Sequence, residues 1–95
     1  MNKYEGIFIF RGDLAEKDLE EECSKAEEAI KKHEGRIEKS EKVGKKRLAY
    51  TIKKFRDGFF LFLHFEAPPH VIKPLTDLFK HNNNILRVMV TRKEE

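Results

Sequence analysis

Apolar residues recur along this chain in two different periods, and the switches between them divide it into six elements. Tyr4 to Phe10 (YEGIFIF) is rich in β-formers with apolar side chains at odd and even positions, the pattern of a strand buried on both faces. Leu19, Cys23, Ala26, Ile30 and His33 then recur at spacings of three and four, which predicts an amphipathic helix over about residues 14–34. Asp13 is placed to cap that helix, with Glu16 three residues on completing a capping box, and Gly35 to supply a left-handed stop.

From Arg36 to about Phe55 the pattern is that of a long strand, bulged near Gly44, in which Leu48, Tyr50 and Ile52 alternate. Arg56-Asp57-Gly58 predicts the hairpin turn, because Asp-Gly tolerates positive φ. Phe59 to Glu66 (FFLFLHFE) is the most apolar stretch and predicts the second central strand, ended by Pro68-Pro69. A second helix is expected over about 71–81, with Val71, Ile72, Leu75, Leu78 and Phe79 on its inner side. Pro74 falls early enough in that helix for its missing N–H to matter little. Asn82-Asn83-Asn84 closes the helix through the tolerance of Asn for left-handed geometry, and Ile85 to Arg92 is the last strand. Lys93-Glu94-Glu95 reads as a frayed end.

The order strand, helix, strand, strand, helix, strand predicts an α+β, ferredoxin-like βαββαβ sandwich of one domain over residues 1–95. Its four-stranded antiparallel sheet carries both helices on one face. Alternation then assigns Phe8, Phe10, Leu61, Leu63 and Phe65 to the helix side. It leaves Ile7, Ile9, Phe60 and Phe62 on the open face, with Met89 beside them and His64 nearby. Apolar surface of that extent on a small domain marks a docking face, unless Lys and Arg stems shield it.

Charge adds a polarity to this outline. The net charge is only +3, but residues 13–34 carry nine acidic and four basic side chains, whereas residues 36–56 carry nine basic and two acidic. An acidic helix set against a basic hairpin turns one region toward a polyanion and another away from it. Lys42, Lys45, Lys46, Arg47, Lys53, Lys54 and Arg56 crowd the hairpin, and Arg87, Arg92 and Lys93 lie along the last strand, where they can neutralise phosphates.

Catalytic patterns are missing from the sequence. The four histidines (His33, His64, His70, His81) lack metal-site spacing, and the five glycines are scattered rather than gathered into a phosphate cradle. Neither Ser24 nor Ser40 sits in a nucleophile elbow, and Cys23 lies on the inward helix stripe. No metal, cofactor or small-molecule substrate is expected. Arg11-Gly12-Asp13 is read as a turn and a cap. The single cysteine fits a reducing cytoplasm, and neither a secretory signal nor a membrane span is expected. An RNA-recognition module stacking bases on Tyr50, Phe60 and Phe62 is an alternative, although residues 58–65 put the aromatics in the wrong register for that motif. An acylphosphatase-like enzyme would use Arg11 but needs the missing cradle, and nothing marks the pocket of a small-molecule sensor.

Particular blocks go further than patterning. Lys3-Tyr4-Glu5 opens the chain, and Gly44-Lys45-Lys46-Arg47-Leu48-Ala49-Tyr50-Thr51-Ile52-Lys53-Lys54 follows at mid-length. Gly58-Phe59-Phe60, Phe65-Glu66-Ala67-Pro68 and Ile85-Leu86-Arg87-Val88-Met89-Val90 come next. In order and spacing these resemble, nearly end to end, the family of the sixth protein of the bacterial small ribosomal subunit. Asn2, Thr51 and Asn82 to Asn84 depart from its usual pattern, as does the short stretch after the last strand, where no long partner-binding tail is expected. It implies a non-catalytic protein of the ribosome, in the cytoplasm, that binds the central domain of small-subunit (16S) ribosomal RNA together with the eighteenth small-subunit protein. By position it implies RNA contacts at Arg87 and Lys80, joined by Lys3, Arg47 and Arg92. Lys45, Lys46, Lys53, Lys54 and Arg56 are expected to meet RNA or partner, and Ile7, Ile9, Tyr50, Phe60, Phe62 and Met89 to face the partner.

Overall fold

A computed structural model describes residues 1–93, and Glu94 and Glu95 of the expected frayed end lie outside the described residues. The elements are β1 (Asn2–Arg11), α1 (Glu16–Lys32), β2 (Arg36–Ile52), β3 (Phe55–Ala67), a 3-10 turn (Pro69–Val71), α2 (Ile72–Lys80) and β4 (Ile85–Arg92). The strands form one antiparallel sheet in the order β2-β3-β1-β4, so the two most apolar segments of the sequence occupy its centre as expected. Lys93 is not frayed: its amide donates to the Lys3 carbonyl at 2.8 Å and continues the β1–β4 ladder.

Alternation decides the core. Phe8, Phe10, Leu61, Leu63 and Phe65 have no exposed surface and pack against Leu19, Cys23, Ala26 and Ile30 of α1 and Leu75 and Phe79 of α2. Each such side chain contributes about 1.5–3 kcal/mol on leaving water. Phe79 meets Phe8 edge to face at 4.8 Å between ring centroids, tying α2 to the middle of β1. Leu78 does not join this packing: it is 50% exposed, one position off the stripe set by Leu75 and Phe79.

Several local expectations give way to other solutions. Asp13 does not cap α1. Its carboxylate takes two hydrogen bonds from the Arg11 guanidinium, at 3.1 and 2.9 Å, and α1 begins at Glu16 behind Ala15 with no side-chain cap. At the other end Glu34, not Gly35, takes the left-handed position, with φ 66°. The Glu34 amide donates to the Lys31 carbonyl and the Gly35 amide to that of Ile30, which is a Schellman close. Gly35 is needed for proximity instead, since a Cβ there would fall 2.5 Å from the Ile30 Cγ2.

The β2–β3 hairpin turns at Lys53-Lys54, not at Asp57-Gly58. Ile52 pairs with Phe55, so a two-residue loop remains and both lysines adopt positive φ, 50° and 73°. Asp57 and Gly58 lie inside β3, where Gly58 faces Arg11 of β1. Gly44 has φ 112° at a register shift in β2, the bulge expected there. The asparagine run works through side chains rather than left-handed backbone. Asn82 and Asn84 donate to Glu22 of α1 at 2.7 and 3.3 Å, and the Asn82 Oδ1 accepts from the Asn84 amide.

Candidate RNA and protein interface

The face of the sheet away from the helices is built on the central strands. Ile7 pairs with Phe62 on one side and Met89 on the other, and Ile9 sits between Phe60 and Arg87. All four β1 and β3 side chains are half-buried by one another, whereas Met89 is 41% exposed. Phe8, Phe10, Leu61 and Leu63, each one residue away on the helix side, are wholly enclosed, so this apolar strip is on the face of the sheet that neither helix covers.

Its two ends differ in chemistry. At one end Glu5 pairs with His64, and Lys39 lies opposite on β2. The His64 Nδ1 is buried without a hydrogen-bond partner, 3.5 Å from a Glu5 oxygen, while Nε2 lies 3.5 Å from Glu41. Lys39, 2.9 Å from Glu41, holds that carboxyl below the usual glutamate range, with His64 adding to the effect. Further along, Arg36 meets Glu66 at 2.6 Å.

At the other end the β2–β3 hairpin supplies the basic side chains. Register divides them between faces: Lys46 is opposite Gly58, whereas Lys45 and Arg47 are opposite Phe59 and Asp57 on the helix side. Beyond Arg47 the ladder breaks and resumes at Ile52, so Leu48 to Thr51 stand against Arg56 alone. This wide bulge bends the hairpin over the open face. A Cβ on Gly58 would meet the Ile9 Cγ2 at 2.5 Å and Leu48 at 3.4 Å, so the missing side chain admits both. Farther out, the Arg87 Nη1 donates to the Tyr50 hydroxyl at 3.0 Å. Past the bulge, Arg11 stacks over Phe55 at 4.9 Å from the ring centre, which steadies the base of the turn.

The cations read from the sequence as RNA contacts do not form one patch. Arg87 and the hairpin share one end, with Lys53 and Lys54 at its tip and the exposed Arg56 beside them. Lys3 and Arg92 lie at the other end of β1, roughly 20 Å away at about 3.4 Å per residue. Arg92 also pairs with Tyr4, a helix-side residue, so it projects to the face opposite Arg87. The five-residue spacing from Arg87 to Arg92 already contained that inversion. Lys80 is the exposed last residue of α2, in the helical layer.

Groups that could do chemistry are engaged structurally. The His33 and His81 Nδ1 atoms lie 2.8 and 2.6 Å from the carbonyls of Ala29 and Asp77 in the last turns of their helices. Burial pushes the Cys23 thiol up, so a thiolate is disfavoured there. Among the described residues no group of three His, Cys, Asp or Glu side chains is arranged to hold a metal, and no helix is long and apolar enough to cross a membrane.

A sheet face left open, a basic hairpin and an arginine on the last strand are features of a binding protein, and comparison with known proteins says of which family. The model of the family described as ribosomal protein S6 matches residues 3–92. The chain belongs to the ribosomal protein S6 family. Small ribosomal subunit protein bS6 of Halalkalibacterium halodurans is 37% identical over the whole of both chains, and that of Heliobacterium modesticaldum 34% identical over all of this chain and 99% of its own. The crystal structure of 30S ribosomal protein S6 from Thermotoga maritima matches with a TM-score of 0.92 at 26% identity, over 97% of this chain and 87% of that one. The resemblance and the ferredoxin-like fold read from the sequence are both borne out. As a member of the S6 family, the chain is a structural protein of the small ribosomal subunit, working within the ribosome in the cytoplasm rather than as an enzyme.

Sequence reasoning missed three residues that shape this surface. Leu48 and Gly58 extend the open face onto the hairpin, and Glu22 anchors the loop from which β4 starts. Glu22 is 3% exposed, although it is one of the many carboxylates of an acidic helix. The signal was available: Glu22 stands three after Leu19 and four before Ala26, on the buried stripe itself.

Proposed function

We propose that this S6-family chain binds the central domain of small-subunit (16S) ribosomal RNA jointly with the eighteenth small-subunit protein. In this reading Ile7, Ile9, Phe60, Phe62 and Met89 dock the protein partner. Arg87, with the basic hairpin beside it, meets RNA phosphates. The observation that carries the reading is the uncovered apolar strip ending directly on Arg87 and the hairpin. A partner on the strip would therefore lie against whatever polyanion Arg87 holds. Lys3 and Arg92 contribute a second, weaker contact at the far end, and Lys80 a third from the helical layer. Lys45, Lys46, Arg47, Lys53, Lys54 and Arg56 supply the sequence-independent part of the affinity.

The test is a titration of the central-domain RNA fragment with this protein alone and with the purified eighteenth protein. Weak binding alone and tight, salt-sensitive binding of the pair support the joint site. Equal binding in both conditions points to a self-sufficient RNA module, and no binding in either rejects the proposal. Arg87→Ala is expected to weaken binding of the pair and to lower the slope of log affinity against log salt by about one, as loss of one phosphate contact should.

A further inference from the structure

The hydrogen bond from Arg87 to Tyr50 joins residues that the sequence separates into an RNA contact and a partner contact. It also joins the two edges of the sheet. β2 and β4 are the outer strands of the order β2-β3-β1-β4, three strand spacings or about 14 Å apart. Two side chains reach across that width because the hairpin bends. Four residues of β2 oppose Arg56 alone, and Gly58 offers no Cβ to hold Leu48 away from Ile9.

For Arg87 the consequence is orientation. An exposed arginine on an edge strand samples many rotamers, and docking on phosphate must remove that freedom. The Tyr50 hydroxyl takes one of the five guanidinium N–H groups at 3.0 Å and leaves the others for a ligand. A guanidinium held at one nitrogen presents its remaining fork in a fixed plane, the geometry that bidentate phosphate recognition uses. Tyr50 itself is 64% exposed, so its ring adds little to the free protein's core.

We propose that Tyr50 is a positioning residue for RNA: by accepting from Arg87 across the open face, its hydroxyl sets the guanidinium for phosphate. This rests on the RNA reading of Arg87 given above, and it moves Tyr50 from the partner face to the RNA site. The interaction is a hydroxyl–guanidinium bond, so removing one oxygen atom tests it while the ring stays in place.

The experiment is a double-mutant cycle on the full chain, with the central-domain RNA and the eighteenth protein, using Tyr50→Phe, Arg87→Ala and the double variant. Tyr50→Phe is expected to weaken RNA binding about three- to tenfold, the range for losing one ordinary hydrogen bond at a solvent-exposed site. In the Arg87→Ala background the same change should have no effect, and binding to the eighteenth protein without RNA should stay as in the parent. Equal losses in both backgrounds would overturn the proposal, because Tyr50 would then act independently of Arg87. A Tyr50→Phe variant that binds RNA like the parent while Arg87→Ala does not would also overturn it, leaving the RNA role of Arg87 intact. If Arg87→Ala itself binds normally, the reading of Arg87 fails and the positioning role falls with it.

Discussion

Leu63 and Phe62 are neighbours in one strand, yet they belong to different energetic regimes. Leu63 is fully enclosed between sheet and helices, and Phe62 is half-buried among Ile7, Glu41 and other open-face side chains. The same contrast runs along β1, where Phe8 and Phe10 are sealed while Ile7 and Ile9 keep contact with solvent. Hydrophobicity therefore does not distinguish what stabilises the monomer from what is held for a partner. Coverage does: the two helices reach only one face, and the second apolar face is the one that the proposed partner would bury.

The largest effect should come from the covered face. Leu63→Ala removes a side chain with no exposed surface, and about 2–5 kcal/mol of unfolding free energy should be lost in urea titration. Phe62→Ala, although it deletes a larger group, should cost the free protein only about 1–2 kcal/mol, because part of that group's surface stays in contact with water in the folded chain. Binding to the eighteenth protein should reverse the ranking between Phe62→Ala and the more conservative Leu63→Val. If Phe62→Ala destabilises the free protein as much as Leu63→Ala does, the open face is already covered in solution and the contrast is broken.

Polar burial sharpens the same contrast. On the covered side Glu22 accepts from Asn82 and Asn84, joining α1 to the turn that leads into β4. Glu22→Ala leaves those amides unpaired at a part-buried site and should cost about 1–3 kcal/mol. Because the turn carries β4, the slope of RNA affinity against salt should be retained if Arg87 is still presented. On the open side, by contrast, the His64 Nδ1 is left without a hydrogen-bond partner. On the docking proposal a second molecule would be placed to complete that atom's hydrogen bonding.

How far the sequence revealed this depends on the range of the interaction involved. The two sheet faces were legible because strand alternation is set by the backbone itself, and Phe8 and Leu63 fell where the period put them. Local end signals fared worse wherever another contact competed for the same residues. Asp13 fits a cap, but Arg11 two residues earlier offers a bidentate partner. Asp57-Gly58 fits a turn, but pairing of Ile52 with Phe55 carries the ladder past it and forces Lys53 and Lys54 into positive φ. The cost of that geometry for residues with a Cβ, about 1–2 kcal/mol each, was not visible in composition. At the site, the family blocks pointed to Arg87 and Tyr50 separately. Their bond spans the sheet between residues 37 apart, and no local pattern encodes it.

The smallest expected effect lies at the polar end of the open face. Glu66 accepts from Arg36 at 2.6 Å, and that hydrogen bond holds its carboxyl below the ordinary glutamate value of 4.5. Between that value and the lower folded one, the unfolded chain binds more protons than the folded chain, so stability rises with pH across this window. The contribution is complete above the unfolded value and is lost as the pH falls through the folded one. Arg36 is 74% exposed, so solvent and salt screen the pair and the effect is slight. Glu66→Gln should therefore flatten the acid limb of the stability profile a little and leave stability near pH 7 almost unchanged. A large loss at neutral pH would mean that the ion pair is structural. The open face would then owe its arrangement to its polar end as much as to the apolar strip beside it.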